Sequence, residues 1–371
     1  MKGQITLPAP IADFPWRVVI PLTLLVAFGA AVLHSAAGGS MDPYASSHLI
    51  RYGVFLVVAL VISYFPREWA GYVAIPAYIA ILVLLGAVEV AGQLGGGSQR
   101  WLELGFMRLQ PSEVMKPGIV LLLAAYFHSL PAAMIGTWRA ILVPLGLIAL
   151  PMAFVLLQPD LGTSLAIAFG GVVVMYLAGI PQKWFIGGAV AAIVATPLLY
   201  LFALQPYQQR RVTTFLDPTQ DPQGDGYHII QSQIAIGSGG ISGKGFGEGS
   251  QSQLDYLPEP HTDFVFATMA EEWGLIGGLF VLLIFGIVLR YGMLVARDAK
   301  DRFSRLLAAG LTATIFFYVA VNLLMVMGFA PVVGIPLPFM SHGGSSMMTN
   351  MLCVGGLMMV ERWNRQTNTV I

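Results

Sequence analysis

Ten runs of mostly apolar residues, each near the length of a bilayer-crossing helix, recur along the 371-residue chain. A transmembrane helix needs about 20 such residues to cross the hydrocarbon core of a bilayer. The runs therefore predict an all-α polytopic membrane protein of about ten transmembrane helices, forming a single integral membrane domain over residues 1–371. The predicted spans are approximately residues 16–35, 47–65, 69–90, 113–128, 139–157, 162–180, 184–204, 263–290, 305–330 and 343–361.

The composition supports a membrane protein and argues against other classes. Hydrophobic residues make up 56% of the chain and charged residues 10%, whereas soluble domains have roughly 45–50% and about 25%. A soluble domain could not cover that much apolar surface with so few charges. The formal net charge is zero, so no attraction to nucleic acid is expected. The single cysteine, Cys353, cannot form an intrachain disulfide.

The basic residues indicate how the chain is oriented. If the N-terminus is cytoplasmic, both termini are, and twelve basic residues face the cytoplasm while seven face the outer side. This split follows the positive-inside rule. The cytoplasmic set is Lys2, Arg17, Arg67, Arg139, Lys183, Arg290, Arg297, Lys300, Arg302, Arg305, Arg362 and Arg365. The outer set is Arg51, Arg100, Arg108, Lys116, Arg210, Arg211 and Lys244.

Hydrophilic sequence is concentrated on the outer side. Residues 205–262 form a large extracytoplasmic loop between the seventh and eighth spans, and a structureless loop of that length is uncommon unless it is functional. Its segment YHIIQSQIAIG predicts a helix at the interface. A second outer loop, GGGSQRWLELGFMRLQPSE, combines Arg100, Trp101 and Arg108 in a way that suits the headgroup layer.

Four outer segments carry a resemblance to a known family: QRWLELGFMRLQPSEVMK, QPDLGTS, LPEPHTDFVFATMAEEWGLIGG and GIPLPFMSHGGSS. Together they resemble the motifs of the SEDS family (shape, elongation, division and sporulation). The loop segment RVTTFLDPTQDPQGDGYHIIQSQIAIGSGGISGKGF is more similar to the rod-shape members than to the division members. The resemblance implies a peptidoglycan glycosyltransferase of the bacterial cytoplasmic membrane, with its active site facing the outer side. Such an enzyme polymerises lipid II, which is carried on undecaprenyl pyrophosphate.

The resemblance also implies partners. It leads us to expect a class B penicillin-binding protein, which is a single-span transpeptidase, and other elongation-complex proteins. Gly277, Gly278 and Gly286 on the eighth span are small enough to allow close approach of a partner helix, although they could equally serve packing within the chain. Two other functions stay open: a lipid II flippase and a non-catalytic scaffold. A flippase needs a polar path open to both sides, and the outer concentration of polar residues favours the enzyme.

Asp263 is the best candidate for a catalytic base. It stands at the outer start of the eighth span, where the helix dipole favours the ionised form, and a partly desolvated carboxylate there can accept a proton. A helix N-cap explains the same residue equally well from sequence alone; the family motif favours catalysis. Glu271 and Glu272 lie about 12 Å further along the helix, too deep for a sugar hydroxyl. We predict interhelical hydrogen bonds for both.

The candidate substrate-binding residues each have an alternative. Glu113 and Lys116 share a helical face and form either a local ion pair or a pyrophosphate site. Arg210 and Arg211 are either solvated charges or a phosphate clamp.

Two further residues of the motifs are ambiguous in the same way. Asp160 either caps the sixth span or lines the cavity, and Trp101 either anchors the interface or stacks on a sugar. Ser341 precedes the last span next to His342, where most relatives have tyrosine. We include Asp160, Trp101 and Ser341 among the predicted substrate contacts.

Cofactors are only weakly indicated. The resemblance implies a divalent cation, Mg²⁺ or Mn²⁺, between Asp263 and the pyrophosphate, yet the sequence shows no metal-ligand spacing. The segment GSGGISGKG has the wrong spacing for a P-loop, so no nucleotide is implied.

Overall fold

The computed structural model describes residues 14–95, 98–103, 108–202, 206–220, 224–254, 256–257 and 259–368. In these ranges the chain forms helices and one small sheet. The helices are α1 Trp16–Ala36, α2 Tyr44–Ser63, α3 Arg67–Ala91, α4 Pro111–Ser129, α5 Trp138–Leu157, α6 Leu161–Leu177, α7 Gln182–Phe202, α8 Pro206–Leu216, α9 Asp225–Ser238, α10 Ser250–Gln253, α11 Val265–Asp298, α12 Arg302–Val326 and α13 Gly344–Asn368. The strands are β1 Gln93–Gly95, β2 Ser98–Glu103 and β3 Arg108–Leu109.

Each of the ten predicted spans coincides with a helix, which confirms the all-α bundle. Seven helices of the described residues are long and apolar enough to cross a membrane, and α6 is a shorter apolar helix. The helices α4 and α13 are outside that set; α4 carries Glu113 and Lys116, and α13 ends in a charged segment around Glu361 and Arg365. The number of ten crossings therefore stays a prediction.

Helix α12 lies at the centre of the bundle. It packs against α4, α6, α11 and α13, while α13 packs against α2, and α1 packs against both α2 and α11. Two thirds of the residues in the 18-residue apolar stretch of α12 are buried inside the protein, whereas none of the residues in the corresponding stretch of α7 are buried. Helix α7 is therefore peripheral, and α12 connects the helices that surround the candidate site.

The loop between α3 and α4 contains strands that the sequence did not predict. Strand β2 pairs antiparallel with β1, and β3 pairs antiparallel with β2 through Leu102↔Leu109 and Glu103↔Arg108. Pairing satisfies backbone groups that a loop packed against helices would otherwise leave without partners.

The long segment 205–262 is structured rather than an open loop. It contains α8, α9 and α10, and α9 packs on α11 and α12 near the end of the bundle that carries Asp263. The helix predicted for YHIIQSQIAIG is confirmed as part of α9. Residues of this segment therefore contribute to the same end of the bundle as the four motifs.

Candidate active site

Asp263 lies in the turn that leads into α11. The N-cap of that helix is Phe264, and no side chain caps it, so Asp263 is not the capping residue. Its side chain is partly buried. Among the described residues, the carboxylate has no hydrogen-bond or ion-pair partner. A carboxylate that is withdrawn from water and left unpaired is available to accept a proton.

The backbone around Asp263 is held on two sides. The amide of Asn322, on α12, donates to the carbonyl of Asp263 at 2.8 Å and to that of Ile335 at 2.7 Å. The hydroxyl of Ser341 donates to the Thr262 carbonyl at 2.6 Å and accepts the N–H of Leu337 at 2.8 Å. The predicted substrate contact Ser341 is 4% exposed and thus fixes the loop beside Asp263.

The pKa of Asp263 is set by its surroundings. The pKa is raised from 3.8 to about 6: burial raises it most, the nearby Glu259 also raises it, and Arg211 lowers it. These effects have known physical causes: desolvation disfavours a charged carboxylate, a second carboxylate repels it and a guanidinium stabilises it. A base with a pKa near 6 is ionised at neutral pH and still retains basicity.

An apolar groove of about 250 Å³ lies next to this turn. Its walls come from α6, α8, α12 and the segment 330–335, and include Leu165, Val212 and Phe317. Arg211 is the charged residue in the lining. A Cβ atom at Gly334 would lie 3.5 Å from Oδ2 of Asp263, and the residues on either side of Gly334, Val333 and Ile335, line the groove. The segment 330–335 therefore connects the apolar groove and its cation to the turn that carries the base.

Arg210 and Arg211 are separated by their positions on α8. Arg211 is partly buried and lines the groove, whereas Arg210 is exposed. The structure therefore brings only Arg211 to the site. A phosphate clamp formed by both residues would require α8 to rotate.

Lys116 and Glu113 form a buried polar cluster with Tyr318. The ammonium of Lys116 lies 2.6 Å from Glu113 Oε1 and 2.6 Å from the Tyr318 hydroxyl, and that hydroxyl donates to Glu113 Oε2. Lys116 is 1% exposed. The predicted ion pair is therefore present, while direct contact of Lys116 with pyrophosphate would require the bundle to open.

Asp160 caps helix α6. Its Oδ1 accepts the N–H of Thr163 at 3.0 Å, and its Oδ2 accepts from Gln110 at 3.2 Å. Arg100 approaches Asp160 at 3.6 Å and donates to the Pro159 carbonyl at 2.6 Å. The small sheet is thereby attached to the turn before α6. This attachment places Trp101, partly buried in β2, at the same end of the bundle as Asp263.

The two buried glutamates of α11 have different partners. Glu272 accepts a hydrogen bond from Ser35 on α1, as predicted for an interhelical contact. Glu271 likewise accepts from the Ser250 hydroxyl and the Gln251 N–H of α10, which also agrees with the predicted interhelical contact. Its ion pair with Lys244 of the long segment, at 2.6 Å, was not predicted, because local sequence does not reveal that 239–251 folds against α11 at this level.

Arg51, which the basic-residue distribution placed on the outer side without a role, is a second cationic group near the site. Its NH1 lies 2.9 Å from Nε2 of His342, which also lies 3.0 Å from the Ser47 hydroxyl. Burial and Arg51 lower the pKa of His342 to about 4, so the ring is neutral at neutral pH. Because a guanidinium can only donate, Nε2 is the acceptor in the contact with Arg51. The backbone N–H of His342 donates to the His261 carbonyl at 2.8 Å. Arg51 therefore lies one contact away from the turn of Asp263, and only its spacing within a membrane span could have indicated it.

The described residues contain no group of three or more His, Cys, Asp and Glu side chains arranged to hold a metal ion. Asp263 and Glu259 are the two carboxylates at the site. Mg²⁺ is commonly held by one or two carboxylates together with phosphate oxygens of a substrate, and this pair has that character. Any cation here would depend on a substrate for most of its ligands.

Comparison with known proteins gives extensive matches. The family model for FtsW, RodA and SpoVE, described as "Cell cycle protein", matches residues 15–366. Peptidoglycan glycosyltransferase MrdB of Escherichia coli (strain K12) is 41% identical over 354 residues, which are 94% of this chain and 93% of that protein. Stage V sporulation protein E of Bacillus subtilis (strain 168) is 33% identical, over 94% of this chain and 97% of that protein.

Two solved structures are similar in fold. The chain from "Structural coordination of polymerization and crosslinking by a peptidoglycan synthase complex" is 32% identical, with a TM-score of 0.82, covering 95% of this chain and 99% of that one. The rod shape determining protein RodA of Thermus thermophilus is 29% identical, with a TM-score of 0.71, covering 94% and 97%. Both matches extend over nearly the whole bundle. The protein described here is therefore a multi-pass membrane protein that belongs to the SEDS family of FtsW, RodA and SpoVE.

Proposed function

We propose that this protein is a peptidoglycan glycosyltransferase that polymerises lipid II into glycan strands during cell elongation, with Asp263 as its catalytic base. The observation that carries the proposal is the carboxylate of Asp263, which has no hydrogen-bond or ion-pair partner among the described residues and whose pKa is raised to about 6. The name of the 41% identical relative, peptidoglycan glycosyltransferase MrdB, supports the reaction. Because that relative covers nearly the full chain, the proposal applies to the whole protein.

The reaction needs one proton acceptor and one stabilised leaving group. Ionised Asp263 removes the proton from the 4-hydroxyl of the acceptor's N-acetylglucosamine. That oxygen forms a bond to the anomeric carbon of the donor's N-acetylmuramic acid, and the bond from this carbon to the pyrophosphate oxygen breaks. Attack from the opposite face converts the α link to β. The products are the lengthened glycan, undecaprenyl pyrophosphate and protonated Asp263, which returns its proton to water.

The groove supplies binding energy for the lipid part of the substrate. Its apolar lining suits a polyprenyl chain, and Arg211 at its wall suits the negative charge that develops on the departing pyrophosphate. Arg51 offers a second guanidinium near the turn of Asp263.

A divalent cation held by Asp263 and Glu259 would neutralise pyrophosphate charge when it is bound. Metal dependence would appear as loss of activity with a chelator and recovery with Mg²⁺ or Mn²⁺.

The proposed orientation puts Asp263 on the outer side and both termini in the cytoplasm. It rests on the twelve-to-seven distribution of basic residues. Cysteines introduced at positions 223 and 250 should react with an impermeant reagent in intact cells, and one at the exposed position 300 should react only after the membrane is permeabilised. The native Cys353 is fully buried, so it should contribute little background. Labelling at 300 in intact cells would reverse the orientation.

The proposed partner is a class B penicillin-binding protein with one membrane span, and the complex would operate with other elongation proteins. The similar structure described as a peptidoglycan synthase complex supports this assignment. On α11, Gly277 and Gly278 are buried inside the chain, whereas Gly286 faces open space. If the partner helix packs on this face of α11, Gly286→Leu should abolish copurification at normal expression. A complex that survives this change would exclude that face as the interface.

The decisive experiment compares Asp263→Asn with Asp263→Ala in the purified complex supplied with lipid II. Asparagine cannot accept the proton, so polymerisation should fall by about 10²–10⁴ in both variants. The raised pKa means that the stability contribution of the neutral carboxyl is present below pH 3.8 and is lost as pH rises through about 6. The Asn variant should therefore be at least as stable as the native protein at neutral pH.

The control for this experiment is Asp298→Asn at the other end of α11, which should polymerise normally. A well-folded Asp263→Asn protein with near-native activity would remove Asp263 as the base. Movement of lipid II across vesicles without polymer would indicate the flippase instead.

A further inference from the structure

Helix α11 is broken at Gly274. This residue has φ 61° and ψ −156°, a backbone conformation that glycine adopts readily and other residues rarely do. The break separates a short segment, 265–273, from the long segment 275–298. Asp263 lies two residues before the short segment, so any movement of that segment moves the carboxylate.

A glycine-rich stretch, residues 239–245, replaces the helical hydrogen bonds at the break; we call it the splice loop. The carbonyls of Gly240 and Ile241 accept the N–H groups of Leu275 and Ile276 at 3.0 and 3.2 Å. Two further bonds run from the N–H groups of the splice loop to the short segment: Lys244 to Glu271 at 3.0 Å and Gly245 to Glu272 at 3.1 Å. The splice loop is thus bonded to both sides of the break and joins them.

The fit leaves no room for side chains. A Cβ atom at Gly239 would overlap the carbonyl oxygen of Ala270, and one at Gly243 would overlap that of Glu272. A Cβ atom at Gly274 would lie 2.6 Å from the carbonyl oxygen of Ile241. The break therefore depends on close approach between two backbones, which only glycine permits at these positions.

One ion pair fastens the splice loop to the short segment. The carboxylate of Glu271 is fully buried and lies 2.6 Å from Nζ of Lys244. It also accepts from the Ser250 hydroxyl and the Gln251 N–H, both at 3.1 Å. A buried carboxylate is expensive to leave without its cation. The pair therefore selects one arrangement of loop and segment.

We propose that Lys244 and Glu271 are positioning residues for Asp263, acting by fixing the tilt of the short segment 265–273. This inference rests on the proposed function of Asp263. From Asp263 to the break at Gly274 the distance is about 16 Å at 1.5 Å per residue, so a tilt of about 10° at the break displaces Asp263 by about 3 Å. A misplacement of about 1 Å can lower a catalysed rate about a hundredfold. Neither residue touches substrate.

The test uses Lys244→Met, Glu271→Gln and the double variant in the full protein with its partner, supplied with lipid II. If the pair positions the base, kcat should fall about tenfold to a hundredfold while KM changes little, because the groove is intact. The double variant should be no worse than the more damaging single variant. Lys244→Arg, which keeps the cation, should recover most of the activity.

Hydrogen exchange gives a readout that does not depend on catalysis. In Lys244→Met and Glu271→Gln, amides of 264–276 should exchange faster, while those of 280–298 should keep native rates. Gly274→Ala should act like the pair variants, and Gly146→Ala on α5, where a Cβ meets nothing within 4 Å, should not. Glu248→Gln controls for the loss of an exposed charge near the splice loop.

The outcomes separate this inference from the proposed function. Native kcat in folded Lys244→Met and Glu271→Gln, together with an inactive Asp263→Asn, would overturn the positioning role and keep the base. A fall in kcat without faster exchange at 264–276 would also overturn it. An active Asp263→Asn variant would instead show that Asp263 is not the base, and Lys244 and Glu271 would then have no catalytic base to position.

Discussion

The fully buried amide of Asn322 ties Asp263 to the segment on its other side, donating to the carbonyls of Asp263 and Ile335 at 2.8 and 2.7 Å. Asn322 lies on α12, the central helix of the bundle. The base is therefore fixed through its backbone to the central helix, and its carboxylate has no partner among the described residues. In Asp263, the backbone carbonyl fixes the position of the residue, and the carboxylate is left for proton transfer.

Removing the amide should affect both stability and rate. Asn322→Ala leaves two carbonyls without this donor, at a cost of about 1–3 kcal/mol each where they are buried, and lets the turn of Asp263 shift. We expect a lower melting temperature and a fall in kcat of about tenfold or more.

Asn350→Ala is the matched control for the loss of a buried asparagine. Asn350 is equally buried, but its amide donates to Ser346 within its own helix. Equal falls in kcat in the two variants would show that Asn322 has no specific effect on the base.

The raised pKa of Asp263 predicts where activity is lost in acid. The ionised form is the base, so kcat/KM should be constant at neutral pH and fall as pH drops through about 6, the pKa of this carboxyl. A carboxyl with an ordinary pKa would keep its activity down to about pH 4. Measurement of polymerisation rates from about pH 4.5 to 8 distinguishes the two.

Two variants should move this midpoint in opposite directions. Glu259 raises the pKa of Asp263 and Arg211 lowers it. Glu259→Gln should therefore shift the midpoint to lower pH, and Arg211→Met should shift it to higher pH. Asp298→Asn should leave it in place. Shifts of the same sign would mean that the acid limb belongs to another group.

The helices could be predicted from local sequence, because the length and the hydropathy of an apolar run are properties of that run alone. It also drew attention to Asp263 through a motif that resembles a family pattern. It could not find Tyr318, since this residue meets Lys116 across 202 positions of sequence, nor the bond from Asn322 to Asp263 across 59. Such contacts arise from the packing of helices, and no local periodicity encodes them.

The break in α11 could not be predicted from local sequence for a related reason. A glycine inside an apolar run reads as a small residue in a continuous helix, and Gly274 has neighbours of that kind in Gly277 and Gly278. The feature that makes it a break is the splice loop, about 30 positions earlier in the chain. The ion pair of Glu271 with Lys244 could not be predicted from local sequence for the same reason.

Arg211 and Arg210 provide a comparison of adjacent cations. Arg211 lines the groove and, as a phosphate contact, should contribute about 1.5–3 kcal/mol, so Arg211→Met should raise KM for lipid II roughly ten- to a hundredfold. Arg210 is exposed, and Arg210→Met should change KM about twofold or less. Kinetics at fixed salt and pH 8 avoid the shift in the pKa of Asp263. Equal effects of the two changes would instead support the two-residue clamp.

The buried cluster of Lys116, Glu113 and Tyr318 can be assigned to structure or to substrate binding by a double-variant cycle. Lys116→Met leaves the Glu113 carboxylate buried without its cation, which should destabilise the protein by about 3–5 kcal/mol. Adding Glu113→Gln removes that unpaired charge, so the double variant should recover much of the lost stability and, with it, much of the activity.

If Lys116 contacts pyrophosphate, the result differs: KM for lipid II should rise in Lys116→Met and stay high in the double variant, whatever the stability. Thermal unfolding in detergent and polymerisation kinetics on the same samples measure both quantities. Because Lys116 is 1% exposed, we expect the recovery, and a double variant that regains stability while KM stays high would return Lys116 to the substrate site.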